Sequence, residues 1–333
     1  MEGNSLYKSA QKETKDELVL RPKYLKDYIG QEKLKKNFEV FLGSAKKREE
    51  VLDHVLLYGP AGLGKTTLAL IIANEMGSKM RFINGPSIEK SGDLVAVLAS
   101  LEPGDILFID EIHRLPVTVE EILYQAMEDF ELSIVIKQNE ESRVLNLSLP
   151  PFTLIGATTR PSNLSSPLLS RFGISQKLDF YDISSLAKIV KRSAKIYGLG
   201  IDEKAAIEVS KRSRGTPRIA NKLLKRVRDF VLFKNLSSIS FEATLEAFRT
   251  LGVDDLGLDE LDVNYLKILI TRFSGGPVGI SSLANSLGED KENLEEIYEP
   301  YLLYMGLINR TPKGRVASKK AYLHLGFSNN YEH

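Results

Sequence analysis

The 333-residue chain contains no cysteine. That excludes disulfides, thiolate nucleophiles and zinc–thiolate sites. Of its four histidines, two fall in the last ten residues, so a histidine-rich metal centre is not expected. No apolar run approaches the ~18 residues needed to span a bilayer, so no membrane partner is expected. The opening stretch, MEGNSLYKSAQKETKDE, is polar, mixed in charge and without the apolar core of a signal peptide. It predicts a disordered lead-in over 1–18, and the chain reads as cytoplasmic.

What is present is the composition of a soluble globular protein, 43% hydrophobic and 27% charged, long enough for two or three domains. The net charge of +1 is unevenly spread. Residues 210–230 hold eight bases (Lys211, Arg212, Arg214, Arg218, Lys222, Lys225, Arg226 and Arg228) against Asp229 alone. Residues 254–300 hold eleven acids and three bases, and residues 301–333 five bases and one acid. A neutral total therefore conceals a basic C-terminal tip, and a polyanion responds to the local field.

From about 54 to 160, short apolar runs alternate with helical stretches. HVLLYG, MRFING, DILFID and FTLIGATT read as strands, and 65–76 and 117–129 as helices. This rhythm predicts an α/β domain: a mostly parallel sheet with helices on both faces. From 183 to 251 the pattern is helical, broken at Gly198, Gly200 and Gly215-Thr216-Pro217. Helical stretches at 259–273, 281–287 and 291–305 follow, then LINRTPKGRVAS, a hairpin of short strands.

Gly59-Pro60-Ala61-Gly62-Leu63-Gly64-Lys65-Thr66 fits the phosphate-binding pattern G-x-x-x-x-G-K-[ST] between a strand and a helix, the context the motif requires. The glycines free backbone N–H groups to wrap a phosphate, and the helix N-terminus favours negative charge. Lys65 reaches the β- and γ-phosphates, and the Thr66 hydroxyl can ligate Mg²⁺. A second strand delivers Asp110 and Glu111 to its tip. Asp110 can hold Mg²⁺ through water, and Glu111 can orient or deprotonate an attacking water. A third strand ends in Thr158 and Thr159, hydroxyls able to meet a γ-phosphate or simply good strand formers.

Three further stretches invite function. The ribbon ELSIVIK…RVLNLSL puts Leu132, Ile134 and Ile136 on one face of its first strand, and Leu145, Leu147 and Leu149 on one face of its second. That apolar face packs either on its own domain or on a partner. Arg310, Lys313 and Arg315 surround the last turn and can follow phosphates without reading bases. The bases at 211, 214, 218, 222, 225 and 228 recur at helical spacing, as a solvated or subunit-contacting face.

LRPKYLKDYIGQ, GPAGLGKTTLA, EKSGDL, LFIDEIHRL, FTLIGATTR, SRFG, RGTPRIANKLLKRVRDF and GGPVGISSLA…EPYLLYMGLINRTPKGR, in that order, resemble the AAA+ ATPases. Within them, the words look like the RuvB family of Holliday-junction branch-migration motors. The resemblance covers about residues 20–327. It implies an AAA+ large domain over 19–181 with a protruding hairpin near 131–149, an all-helical lid over 182–254, and a winged-helix DNA-binding domain over 255–333.

It also implies roles, with ATP or ADP as the nucleotide. Leu20, Arg21, Tyr28 and Ile29 would line an adenine pocket. Gly62, Leu63, Gly64, Lys65, Thr66 and Thr67 would hold phosphates. Glu128, Asp129 and Phe130 would touch the nucleotide, and Tyr181, Pro217 and Arg218 would close the site, with Arg218 as the lid sensor. Thr158 would be the strand sensor, and Arg171 an arginine finger acting on a neighbouring subunit. The partners implied are double-stranded DNA arms, the junction-binding protein RuvA gripped by the hairpin, RuvC in the wider complex, and five further copies in a hexameric ring. The chain departs from the family's words at Gln125, where proline is expected, at Ser170, where aspartate is expected, and at Pro161-Ser162. Two rivals stay open: a clamp-loader-like ATPase, and a nucleotide-gated DNA-binding switch that does not translocate.

Overall fold

The computed structural model describes residues 19–138 and 141–327, with backbone alone over 134–145. The expected lead-in over 1–18 lies outside the described residues, as do the side chains of Ile134, Ile136 and Leu145 on the ribbon face. The chain folds as two compact units. One is built from Arg21–Gly59 and Leu63–Asp179, the other from Phe180–His333, Pro60–Gly62 and the segment ending at Leu20.

The first unit is a sheet wrapped by helices. Its strands are β1 (Val55–Tyr58), β2 (Met80–Asn84), β3 (Ile106–Asp110), β6 (Thr153–Thr158) and β7 (Ile174–Lys177), with the hairpin β4 (Glu131–Gln138) and β5 (Glu141–Ser148) between β3 and β6. The order is β2-β3-β6-β1-β7, every neighbouring pair parallel. The central strands are apolar because both faces are covered: all of β6 and all but the last residue of β1 and β3 are buried. The edge strands β2 and β7 stay partly exposed. Leu107, Ile109, Leu123, Leu154 and Leu168 are fully buried in one core cluster. Each such side chain contributes roughly 2 kcal/mol of transfer free energy. Helices Lys65–Met76 and Val117–Asp129 have the bounds the sequence predicts.

The hairpin pairs in register from Glu131↔Ser148 to Gln138↔Glu141. Leu132 and Leu149 at its base are buried, which seats the ribbon on its own domain at that end. Gln125, where the family's words have proline, donates to Ser133 Oγ at 3.1 Å, and Ser133 donates to Asn146 at 3.1 Å. The departure thus supplies a hydrogen bond from helix Val117–Asp129 to the hairpin.

In the second unit, four helices follow one another: Ile183–Ile196, Glu203–Lys211, Pro217–Phe233 and Phe241–Leu251. Each begins at a polar cap, Asp182, Asp202, Thr216 or Ser240, whose side chain accepts a backbone N–H. The short strands β8 (Gly200–Ile201) and β9 (Ser238–Ile239) pair between them. Helices Glu260–Thr271 and Ile280–Leu287 then pack with a broken third, ending at Glu299–Tyr304, and with a hairpin of β10 (Ile308–Thr311) and β11 (Gly314–Ala317). This is a winged helix with its own apolar core.

One expectation about charge fails here. Arg214, expected on a solvated or subunit-contacting helical face, is 2% exposed, and Arg212 near it is 5% exposed. Both precede helix Pro217–Phe233, and both reach acids downstream. Arg212 donates to Val253 O, Glu208 and Asp255. Arg214, at a positive φ of 51°, donates to Gly257 O at 2.9 Å and pairs with Asp262, which is 0% exposed. Its guanidinium also lies over the Tyr301 ring, 5.4 Å from the centroid. The segment before the third lid helix is thereby stitched to the start of the winged helix. The wing arginines are paired as well, Arg310 with its side chain 45% exposed and Arg315 with 13%. Arg310 and Arg315 both pair with Glu299, 0% exposed, which also accepts from Tyr265 Oη at 2.8 Å. Burial and this carboxylate push the Tyr265 hydroxyl pKa up. Lys313, the third expected phosphate contact, stands exposed at the turn itself and, among the described residues, has no acidic partner.

Breaking a buried pair strands the surviving charge, at a cost of about 3–5 kcal/mol. Arg214→Ala should therefore lower the stability of the second unit by about that amount in chemical denaturation. The paired replacement Arg214→Met with Asp262→Leu should recover most of it, and equal loss in both variants would mean that the pair is not what holds this joint.

Candidate nucleotide site

The parallel sheet fixes what can meet. β1, β3 and β6 end side by side, with Tyr58 opposite Thr158 and Ile109 opposite Gly156. The phosphate loop leaves β1, the acidic pair leaves β3, and the two threonines leave β6 between them.

Gly59, Gly62 and Gly64 take φ values of 142°, 82° and 98°, which side chains rarely adopt. At Gly59 a Cβ would also lie 2.4 Å from Leu178 O, so the close pass over β7 needs glycine twice over. Gly64 caps helix Lys65–Met76, where Lys65 is buried and its Nζ donates to Gly59 O at 2.7 Å. Thr66 Oγ1 lies 3.5 Å from Asp110 Oδ2, and Asp110 Oδ1 accepts the Glu111 N–H at 3.1 Å. Glu111 sits in the left-handed region, φ 51° and ψ 43°, which turns its side chain off the strand direction. Leu63 is fully buried, Thr66 and Thr67 are half-buried, and the Tyr28 hydroxyl approaches Gly64, 3.4 Å from where a Cβ would stand. Arg21 and Ile29 are half-buried.

Thr158, expected as the sensor, is turned inward. It is 0% exposed, its Oγ1 meets His113 Nδ1 at 2.9 Å, and it accepts the Arg160 N–H at 3.0 Å. Side chains alternate along a strand, so the next residue points elsewhere. Thr159 Oγ1 is buried and, among the described residues, has no hydrogen-bond partner. His113 itself was not singled out by sequence; the only signal was its place two residues after Glu111.

In the second unit the lid meets the phosphate loop through Gly62. The Arg218 N–H donates to Gly62 O at 3.4 Å, and a Cβ on Gly62 would lie 3.2 Å from Arg218 Cβ. Tyr181 is buried and donates its N–H to Gly215 O at 2.8 Å. Pro60, Gly62, Phe180, Thr216, Arg218 and Tyr301 are among the residues around one pocket here, with Pro217 beginning the helix beside it. Leu20 is 3% exposed, and its carbonyl accepts from Arg192.

Glu128, Asp129, Phe130 and Arg171 lie elsewhere. Helix Val117–Asp129 starts after the tip of β3 and runs back to the opposite edge of the sheet. There Phe130 packs near His54 and Phe152, the residues that precede β1 and β6. His54 accepts the Leu154 N–H at Nδ1, 2.9 Å, and meets Met127 O through Nε2 at 3.1 Å. Burial lowers its pKa and keeps it neutral. Arg171 precedes β7, whose first residue lies opposite Val55, the first of β1. It donates to Tyr124 Oη at 2.7 Å, pairs with Glu128, and lies 4.7 Å from the Tyr124 centroid. The Tyr124 hydrogen bond leads in raising its pKa, the Glu128 charge adding to it. β1 alone separates these residues from the phosphate loop of the same sheet by about 10 Å. The expectation that Glu128–Phe130 touch the nucleotide therefore fails for the chain's own loop. Ser170 donates to Pro167 O at 2.7 Å instead of supplying a charge; Glu128 supplies it.

A family model of the Holliday junction DNA helicase RuvB P-loop domain matches residues 20–178, a RuvB AAA lid model 181–254, and a RuvB C-terminal winged-helix model 255–326. The chain belongs to the RuvB family. It is 55% identical over 311 residues, 93% of this chain and 92% of the relative, to the Holliday junction branch migration complex subunit RuvB of Lactobacillus gasseri. The same subunit of Lactobacillus johnsonii is 53% identical over 319 residues, 96% of this chain and 94% of that one. Among solved structures, a Thermotoga maritima RuvB described as a Holliday junction branch migration motor superposes with a TM-score of 0.86. The identity is 51%, covering 92% of this chain and 98% of that one. As a RuvB-family P-loop protein the chain binds nucleotide, and no helix among the described residues is long and apolar enough to cross a membrane.

One glycine outside the motifs guards this RuvB-type site. A Cβ on Gly85 would lie 2.4 Å from Glu111 O and 3.2 Å from Asp110 O, both backbone atoms that cannot swing away. Gly85→Ala should push the acidic turn off the phosphate loop. We expect ATP turnover to fall at least tenfold with a smaller change in nucleotide affinity, measured by steady-state hydrolysis and by titration with a fluorescent ADP.

Proposed function

We propose that the chain is the ATP-hydrolysing subunit of a homo-hexameric ring that pulls duplex DNA arms and drives branch migration of Holliday junctions in the cytoplasm, during recombination and repair. RuvA would hold the junction against the hairpin over 131–149, and RuvC would join the wider complex. Family membership supports the motor reading. The observation that carries the ring is the placement of Arg171 on the sheet edge away from its own phosphate loop.

Gly62–Thr67 would cradle the phosphates, with Lys65 released from Gly59 O to pair with them. Thr66 and Asp110 fit Mg²⁺: one hydroxyl and one carboxylate side by side, with no cluster of three acidic, histidine or cysteine side chains among the described residues. That is the small oxygen set Mg²⁺ takes when phosphates and waters complete its shell. The ion would neutralise phosphate charge. Glu111 would orient the attacking water. The free hydroxyl of Thr159, in place of Thr158, would meet the γ-phosphate or the water, since a buried hydroxyl without a partner invites a ligand. Leu20, Arg21, Tyr28, Ile29 and Tyr181 would hold the base, and Arg218, fixed beside Gly62, would report the γ-phosphate. Glu128, Asp129, Phe130 and Arg171 would face the nucleotide of the next subunit. An arginine there stabilises charge growing on the transferred phosphoryl group and contributes 10³-fold or more in such enzymes.

Lys65→Ala and Arg171→Ala should each abolish hydrolysis, and a 1:1 mixture should regain about a quarter of wild-type activity. A random ring leaves both groups intact at about one interface in four. No recovery would reduce Arg171 to a partner of Glu128. With RuvA and ATP, the wild-type protein should dissociate a synthetic four-way junction; hydrolysis without dissociation would favour the non-translocating switch. At the wing, Lys313→Ala should reduce the salt dependence of DNA affinity by about one unit of slope. Arg315→Ala should mainly destabilise, because it removes one of the two guanidiniums that pair with the buried Glu299.

A further inference from the structure

His113 is the fourth residue of the Asp110–His113 turn and has no part in the roles above. Its side chain is 4% exposed. It lies on the one-turn helix Ile112–Arg114, which Ile112, 0% exposed, anchors in the core. One ring atom, Nδ1, faces two groups: Glu111 Oε2 at 3.4 Å and Thr158 Oγ1 at 2.9 Å. Thr158 is itself spanned, since its hydroxyl accepts the Arg160 N–H and its carbonyl accepts the Gly59 N–H at 3.2 Å.

We infer that His113 is a positioning residue for ATP hydrolysis: its Nδ1 couples the Glu111 carboxylate to Thr158, and so fixes the water-orienting group to the strand tip beside the phosphate loop. The inference rests on the ATPase reading above. A carboxylate beside Nδ1 favours the tautomer with hydrogen on that atom, which can be given to Glu111 or shared with Thr158. Glu111 needs such a hold. Its backbone is in the left-handed region and its side chain is 31% exposed, so rotation about its own bonds would carry it away from the water. The same imidazole ties it to the residue before Thr159, whose buried hydroxyl has no hydrogen-bond partner among the described residues. A displacement of the strand tip on phosphate loss would therefore be felt by Glu111 through a single ring. A misplaced catalytic group costs up to about a hundredfold in rate without loss of substrate affinity.

His113→Ala should lower kcat tenfold or more and leave the Kd for a fluorescent ADP within about twofold. The comparison of two amides supplies the sharper test. His113→Asn places an N–H where Nδ1 stood and should restore most of kcat; His113→Gln places it where Nε2 stood and should not. The effects of His113→Ala and Thr158→Val should also be non-additive, because each cuts the same link. Full kcat in His113→Ala, equal rescue by both amides among folded variants, additive effects with Thr158→Val, or a parallel loss of ADP affinity would each overturn the coupling. Wild-type protein that binds ADP but hydrolyses no ATP with DNA and Mg²⁺ would instead overturn the ATPase reading itself.

Discussion

All five sheet strands run the same way, so the loops leaving them converge on one edge and the loops entering them on the other. Every group suited to phosphate chemistry follows from that polarity. The phosphate loop, Asp110–Glu111 and Thr158–Thr159 exit from β1, β3 and β6, neighbours in the sheet although about fifty residues separate each in the chain. Parallel strands require covered faces, and the fully buried β6 satisfies that requirement at the centre. The same polarity sends Arg171 and Glu128 to the entry edge. A sheet with its nucleotide groups on one edge and a cation on the other is the arrangement the proposed head-to-tail ring would use, one subunit's entry edge meeting the next one's exit edge.

Within the second unit the governing term is desolvation. Arg214, Asp262 and Glu299 are almost wholly withdrawn from water, and each is held by an opposite charge or by hydrogen bonds. Such pairs add little net stability relative to apolar side chains of the same shape, yet they tolerate few arrangements. The geometry from Arg212 to Arg218, which includes the cap Thr216 and the Gly62 contact of Arg218, is set by those partners.

Much of the site was legible in the sequence. Gly64 and Gly77 punctuate helix Lys65–Met76, the apolar runs mark the inner strands, and Asp110 stands where an apolar strand must end. What was not legible depends on distances that no local pattern carries. Arg214 looks like one cation in a basic run until Asp262, 48 residues on, is brought to it. Arg310 and Arg315 look free until Glu299 rises beneath them from the preceding helix. Thr158 and Thr159 are indistinguishable as letters; only the facing of the last strand residue toward His113 separates them. Glu128–Phe130 carry the family's words, but the edge they occupy is decided by the direction of the helix before them.

The stitch between Arg214 and Asp262 also says what can be inherited or exchanged as a piece. The family models divide the chain at 254 and 255, and a recombination there would look clean on paper. It would place a foreign residue opposite a guanidinium that has no access to water. The lid and the wing belong together as a piece, and a crossover is better placed ahead of Phe180, where the long continuous run of the second unit begins.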